Sequence, residues 1–314
     1  MTTLLVASGG GHLKELHLLL RRLPHVGRDR VWVTWDTPQS RSLLVGEEVV
    51  YARYAQPRDA IAMLANGSLA WSVLRARQFD GLITTGSALA VSFVAPARAL
   101  GVPCHYIESI TRTKGPSLSA RLVAALPGVS LHTQHQRWEG RRWRFAGSVL
   151  DEFEPGPSRP DRGLNRMVVT VGTTERYGFR ALVERLVEVV PAGVEVLWQT
   201  GSTKVDDLPI RGRAMVAADE LHAALVAADV VVAHAGAGSS LGALEAGLCP
   251  VLVPRRRAYG EHIDDHQAQI AEDVAHRQLA VVRGPDELTF DDLVGAARRS
   301  TARRASPPPL VLVP

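Results

Sequence analysis

The sequence predicts an α/β protein made of two consecutive doubly wound parallel-sheet domains. Three observations lead there. Short apolar runs alternate with amphipathic, helix-forming stretches along the whole chain. That alternation gives βαβ units and parallel sheets, whose strands are buried on both faces. A glycine-rich turn stands between an apolar run and a helix in each half, SGGGH over residues 8–12 and HAGAGSS over 234–240. The cycle breaks once, at LDEFEPGPSRPDRGLN over residues 150–165, which holds three prolines and two glycines and reads as a linker. The expected domains are 1–149 and 166–304, followed by an irregular proline-rich tail at 305–314.

The first half opens with a strand in TTLLVA, the glycine turn, and an amphipathic helix in HLKELHLLLRRL. RVWVTW, GLITTG and VPCHYIES are further strands, and SALAVSFVAPARAL is the helix between the last two. The second half restarts with RMVVTV as strand and FRALVERLVEVV as helix. VEVLWQT, DVVVAHAG, CPVLVP and LAVV are strands, while DELHAALVAA and HIDDHQAQIAEDVAHR are helices. In doubly wound sheets ligands lie outside the carboxyl ends of the strands. The loops there are Ser8–His12, Glu108–Arg112, Gly172–Thr174, Thr200–Thr203 and His234–Ser240.

Composition narrows the function. Of 314 residues, 46% are hydrophobic and 22% charged, so the chain can bury two cores. Cys104 and Cys249 lie in apolar runs, as core thiols of a reducing compartment do. No signal peptide is legible, and the longest uncharged stretch, Gly81–Ala97, is short for a membrane span. Residues 1–150 carry a balance of +9 and the remainder −5. The basic half is either a solvated face or one that meets an anionic surface or acceptor. Aromatics are only 5%, with no basic-aromatic interleaving, so nucleic acid is not an expected partner.

HAGAGSSLGALEAG, from His234 to Gly247, resembles a dinucleotide fingerprint with its third glycine, Gly242, one place late. A helix starting near Gly238 presents backbone N–H groups and a positive dipole end to a phosphate. Ala237 and Gly238 keep its start low, and Ser239 adds a hydroxyl. Gly238 and Glu245 share a helix face roughly 10 Å apart, with Gly242 between them. A nucleoside diphosphate can thus place phosphates at the helix start and ribose hydroxyls on Glu245. His234 either touches that ligand or fixes the loop. Gly172, Thr173, Thr174, Gly201 and Ser202 close the same strand edge.

EHIDDHQ sets His262 and His266 four apart, as metal ligands can be, yet no third ligand is evident. The alternative is hydrogen bonding from His266 and Gln267 to sugar hydroxyls. Arg255, Arg256 and Arg257 follow a strand, and arginine pairs well with phosphate. In the first half, Gly9, Gly10 and Gly11 allow close backbone approach, and His12 titrates in the range of a general base. Glu108 ends a buried strand. It is either a second candidate base or a partner of Arg112 that holds the loop.

VTVGTT, HAGAGSSLGALEAG and VPRRRAYGEHIDDHQ resemble the donor-binding half of family 28-type glycosyltransferases. They are most similar to the donor-binding subunit of the two-part N-acetylglucosaminyltransferase of asparagine-linked glycosylation and to its bacterial capsule counterparts. VASGGGHLKEL and YIESITR resemble the acceptor-side, membrane-recruiting subunit of that pair. The chain therefore resembles a natural fusion, acceptor half first.

The resemblance implies a GT-B fold, two Rossmann-like domains facing an interdomain cleft. It implies inverting transfer from a UDP-sugar with no cofactor and no essential metal. Gly236, Gly238 and Ser239 would meet the diphosphate, Glu245 the ribose, and His266 and Gln267 the sugar. Gly10, Gly11 and His12 would face the acceptor, expected to be a polyprenyl- or lipid-linked sugar. The expected location is cytoplasmic, with peripheral contact to an anionic membrane surface. The chain departs from the pattern in two places. The acceptor-side subunit's membrane span is not visible, and the family's tryptophan near LHTQHQ is displaced to Trp138. A soluble transferase for a small metabolite, a UDP-sugar epimerase and a non-catalytic UDP-sugar-binding scaffold remain the alternatives.

Overall fold

The computed structural model describes residues 2–55, 59–172, 177–261 and 266–313. The chain divides into two compact units, Met1–Val149 with Pro308–Pro314, and Leu150–Pro307.

The first unit runs β1 (Thr3–Val6), α1 (Gly11–Leu19), β2 (Arg30–Trp35), α2 (Pro38–Leu43), β3 (Glu48–Ala52), α3 (Ala60–Ala76), β4 (Gly81–Thr84), α4 (Ser87–Ala99), β5 (Cys104–Ile107), α5 (Leu118–Ala124), β6 (Val129–Thr133) and β7 (Arg144–Phe145). The strands form one sheet in the order β3-β2-β1-β4-β5-β6-β7, parallel at every pairing. Period-2 alternation divides their side chains between two faces. Leu4, Val6, Val31 and Val33 pack against Ala70 and Leu74 of α3, Phe93 and Val94 of α4, and Val123 of α5. On the opposite face the buried Trp32 stacks on His17 of α1, with centroids 6.3 Å apart. Asn66 of α3 is buried and grips the chain leaving β3: it accepts from Arg53 N and donates to Arg53 O, both at 2.9 Å.

The second unit runs β8 (Phe153–Pro155), β9 (Arg166–Thr170), α6 (Arg180–Val189), β10 (Glu195–Gln199), β11 (Gly212–Arg213), α7 (Ala218–Ala227), β12 (Val230–Ala233), α8 (Ala237–Glu245), β13 (Val251–Leu252), α9 (His266–His276), β14 (Val281–Val282), α10 (Phe290–Ala297) and β15 (Thr301–Arg303). Its main sheet is also parallel, in the order β11-β10-β9-β12-β13-β14. Met167, Val169, Val230 and Val232 face Leu182 and Leu186 of α6 and Leu293 of α10. Val168 and Val231 face Leu225 of α7 and Ala243 of α8.

The stretch 150–165, expected to be a linker, is tied into the second unit. Phe153–Pro155 pairs antiparallel with Thr301–Arg303. Asp229 Oδ2 accepts from the N–H groups of Asn165 and Arg166, at 2.8 and 2.9 Å. The tail has no regular structure after Arg303, yet its last residues belong to the first unit. Arg22 Nε donates to Pro308 O at 2.8 Å, Val311 N donates to Ala146 O at 2.9 Å, and Leu310 is buried.

The first core holds a pair of histidines. His132 of β6 is fully buried, its Nε2 3.1 Å from Nδ1 of the half-buried His105. Burial first, then the charges of His105 and Arg144, push the His132 pKa down to about 3. In the unfolded chain a histidine titrates near 6.5. Between those values the unfolded state binds more protons, so this stability is complete above about pH 6.5 and is lost as pH falls toward 3. His132→Gln should flatten the urea-unfolding stability profile between about pH 6 and pH 4 by up to about 1.4 kcal/mol per pH unit. An unchanged slope would place the titration elsewhere.

Candidate active site

Each sheet reverses its strand order once, at β1/β4 in the first unit and at β9/β12 in the second. Connections from the two central strands depart to opposite faces there, leaving a crevice at the carboxyl edge. α6 follows β9 with Phe179 as its N-cap and no side-chain cap; the other three helices at these points are α1 after β1, α4 after β4 and α8 after β12. Their N-caps are Gly10, Gly86 and Gly236, and none receives a side-chain cap. By contrast α2, α3, α5 and α10 are capped by Thr37, Asp59, Ser117 and Thr289. An uncapped helix start keeps N–H groups available to an anion.

In the first unit the glycine loop and His12 meet the end of β4. His12 Nδ1 lies 2.8 Å from Thr85 O, and Thr85 Oγ1 donates to His12 O at 2.9 Å. A carbonyl only accepts, so Nδ1 carries a proton. Gly10 has φ +77°, and its N–H donates to Gln39 Oε1 at 3.1 Å. Gly86 has φ +106°, and a Cβ there would stand 2.6 Å from the Tyr106 hydroxyl. Gly9 has room for a Cβ, 3.5 Å from the Trp35 ring, and Gly11 opens α1.

Glu108 takes the loop-holding place of its two readings, and the charge of Arg112 acts on it. It is 1% exposed, and its oxygens accept from the N–H groups of Ser109 at 3.1 Å and Ser117 at 2.7 Å. The carboxylate thus holds both ends of the loop over 109–117, because buried backbone donors need acceptors. Burial raises its pKa above the ordinary carboxylate range. Glu15 of α1 holds the middle of the same loop. It accepts from Ile110 N at 2.7 Å, Ser109 Oγ at 2.9 Å and Gln134 Nε2. Burial pushes its pKa up to about 7 against these bonds. Arg112 O accepts from Trp138 Nε1 at 3.1 Å, so the displaced tryptophan also secures this loop.

In the second unit His234 is the wedge of the glycine loop. Its Nδ1 donates to Thr170 O at 3.2 Å. Its ring fills the space where a Cβ at Gly172 or Gly236 would stand, 2.8 and 2.4 Å from Nε2. The two glycines are therefore explained by one imidazole. Ala235 takes φ +58°, a strained value for alanine, at the turn into α8. Gly238 and Ser239 lie in the first turn of α8, partly exposed, and Ala237 is its first residue. Gly242 is partly exposed, and a Cβ there would meet only Leu225 of α7, at an ordinary 3.8 Å.

Glu245 ends α8 with an ion pair to Arg303 of β15. Gln267 of α9 is buried, and its Oε1 accepts from Arg255 N at 3.1 Å. His266, the first residue of α9, is partly exposed. Gly201 turns with φ +58° after β10, beside Ser202. Thr173, Thr174, His262, Asp264 and Asp265 lie outside the described residues. Among the described residues no group of three His, Cys, Asp or Glu is placed to hold a metal.

Sequence reasoning passed over Glu15, Thr85, Gly86 and Arg303. Glu15 had a signal, an acid on the apolar face of an amphipathic helix. Thr85 and Arg303 had none, since each acts only through a distant partner.

Residues 166–290 match the glycosyltransferase family 28 C-terminal domain. A UDP-N-acetylglucosamine–N-acetylmuramyl-(pentapeptide) pyrophosphoryl-undecaprenol N-acetylglucosamine transferase of Synechococcus sp. strain CC9902 is 29% identical over 227 residues, 68% of this chain and 62% of that protein. The enzyme of the same name from Sorangium cellulosum is 28% identical over 67% of this chain and 55% of its own length. The match thus spans less than two thirds of either relative. Among solved structures, Acinetobacter baumannii MurG superposes with a TM-score of 0.57 at 18% identity, covering 94% of this chain and 88% of that one. A UDP-GlcNAc 2-epimerase of Methanocaldococcus jannaschii superposes at 0.59 with 9% identity, covering 94% and 91%. The chain has the GT-B fold of two Rossmann-like units, and most of its second unit, residues 166–290, is similar to the glycosyltransferase family 28 C-terminal domain.

Proposed function

We propose that this protein is an inverting glycosyltransferase. It moves a hexosyl or N-acetylhexosaminyl group from a UDP-sugar to a lipid-linked sugar acceptor in cell-surface polysaccharide or glycolipid synthesis. One observation carries the reading: the family 28 unit starts an uncapped helix, α8, at its strand-order switch. The names of the relatives favour UDP-N-acetylglucosamine as donor and a polyprenyl-linked acceptor.

In this reading the donor diphosphate lies at Gly236, Ala237, Gly238 and Ser239, where N–H groups and the helix dipole stabilise negative charge. The ribose lies on Glu245, and the sugar near His266, with Gln267 holding the loop behind it. Gly172, Thr173, Thr174, Gly201 and Ser202 border the nucleotide. The acceptor meets Gly9, Gly10, Gly11 and the loop of Arg112. His12 takes the proton of the acceptor hydroxyl through Nε2 while Thr85 O fixes the ring. The hydroxyl oxygen then bonds to the anomeric carbon from the face opposite UDP. The carbon–oxygen bond to UDP breaks, and α8 receives the charge that develops on the leaving diphosphate. The transfer needs no cofactor, and the helix start takes the part that a metal plays elsewhere.

The membrane surface is proposed to meet α3. Ile61 and Leu64 are 72% and 74% exposed, and Trp71 stands two turns on, with Arg75 stacked 4.9 Å above its ring. An apolar stripe edged with cations suits an anionic bilayer interface. Among the described residues no helix is long and apolar enough to cross a membrane. The exposed stripe of α3 supports peripheral contact with a membrane face, which we place at the cytoplasmic side of the plasma membrane.

Calorimetry should detect binding of UDP-N-acetylglucosamine, and Glu245→Ala should weaken it about ten-fold, as loss of a charge-assisted hydrogen bond does. Unchanged affinity would assign Glu245 to Arg303 alone. His12→Ala should lower kcat about 100-fold or more while donor affinity holds; near-full turnover would remove His12 as the base. Ile61→Glu with Leu64→Glu should abolish flotation with anionic phospholipid vesicles. It should change folding stability by no more than about 0.5 kcal/mol per site, because both side chains are exposed. Retained flotation would move the membrane face elsewhere.

A further inference from the structure

Arg255 is a cation with almost no contact with water and, among the described residues, no ion-pair partner. It is 2% exposed, and among the described residues no carboxylate pairs with it. Glu261 acts on it electrostatically without an ion pair. Its Nε has no hydrogen-bond partner. Burial draws its pKa down to about 10, so it is still charged at neutral pH. A buried, unpaired charge is costly, and a fold keeps one where a ligand compensates it.

The position of the guanidinium says which ligand. Arg255 leaves the chain just past β13, and β12 lies between β13 and β9. One terminal nitrogen donates to Val171 O, just past β9. The side chain therefore passes from the β13 side of β12 to the β9 side, at the switch point. Phe179 lies 5.7 Å below the cation, and Gln267 holds the Arg255 backbone N–H. Val171 precedes Gly172, whose position is set against His234. One side chain thus ties together the strand ends that border the start of α8.

We infer that Arg255 is a positioning residue of the donor site, holding the Gly172 turn and supplying a buried positive charge that the diphosphate of the donor neutralises. This rests on the proposed UDP-sugar reading and goes beyond it by separating phosphate recognition from nucleoside recognition. Uridine and UDP are the probes, measured by ligand-observed NMR and calorimetry on the full chain. Arg255→Met should weaken UDP at least ten-fold and leave uridine within two-fold of the parent. Arg255→Lys, which keeps charge without the planar fork, should recover part of the UDP affinity. Should Arg255→Met fail to fold, the Lys variant alone carries the comparison, with UDP weakened and uridine unchanged. Equal loss of uridine and UDP, or UDP binding within two-fold of the parent, would overturn the inference. If the parent protein binds neither probe, the UDP-sugar reading itself fails.

Discussion

The site depends on where each sheet reverses its strand order. β1 is paired in parallel with β2 and β4, and β9 with β10 and β12. A parallel strand needs a crossover to its neighbour, and crossovers from a central strand to opposite sides land on opposite faces. The carboxyl edge between the two central strands is then uncovered. His12 and Thr85 stand on one such edge, and His234 and Gly172 on the other. The apolar alternation in β9 and β12 that seats α6 and α10 on one face and α7 and α8 on the other also opens this edge.

The two edges are held by different groups. In the first unit, buried carboxyl groups hold the loop: Glu15 and Glu108 accept from backbone and side-chain donors along residues 109–117. Their bonds are directed at local donors of the protein, while burial raises the pKa of both. In the second unit, a histidine and an arginine hold the loop from beneath, with their donors on Thr170 O and Val171 O. That arrangement adds positive field to a helix start that already favours an anion. The difference fits an anionic donor on the second unit and a hydroxyl acceptor on the first.

Glycine marks where a neighbouring side chain takes the space of a Cβ. At Gly172 and Gly236 an imidazole fills the Cβ position, and at Gly86 the Tyr106 hydroxyl does so. At Gly242, the late glycine that spoils the dinucleotide pattern, a Cβ would make only an ordinary contact with Leu225, so packing does not demand a glycine there as it does at Gly236.

The two-unit α/β plan was legible because strands buried on both faces write themselves as apolar runs, and glycine turns punctuate them. β3, β7, β8, β11, β15 and the helices α2, α3, α5 and α10 were not legible. The edge strands among them are short or polar, and α3 carries an apolar stripe on its solvent side that blurs helical periodicity. The loop carrying His12 and the start of α8 followed from local pattern alone, since a strand, a glycine turn and a helix are neighbours in sequence. The roles of Glu108, Gln267 and Arg255 did not, because burial and hydrogen-bond partners are set by chain segments up to 84 residues away. Sequence by itself determined the alternating elements and the residue types at each strand end. Tertiary structure decided which of those residues face a ligand and which hold the loops, because only packing settles which polar groups lose water and must find a partner.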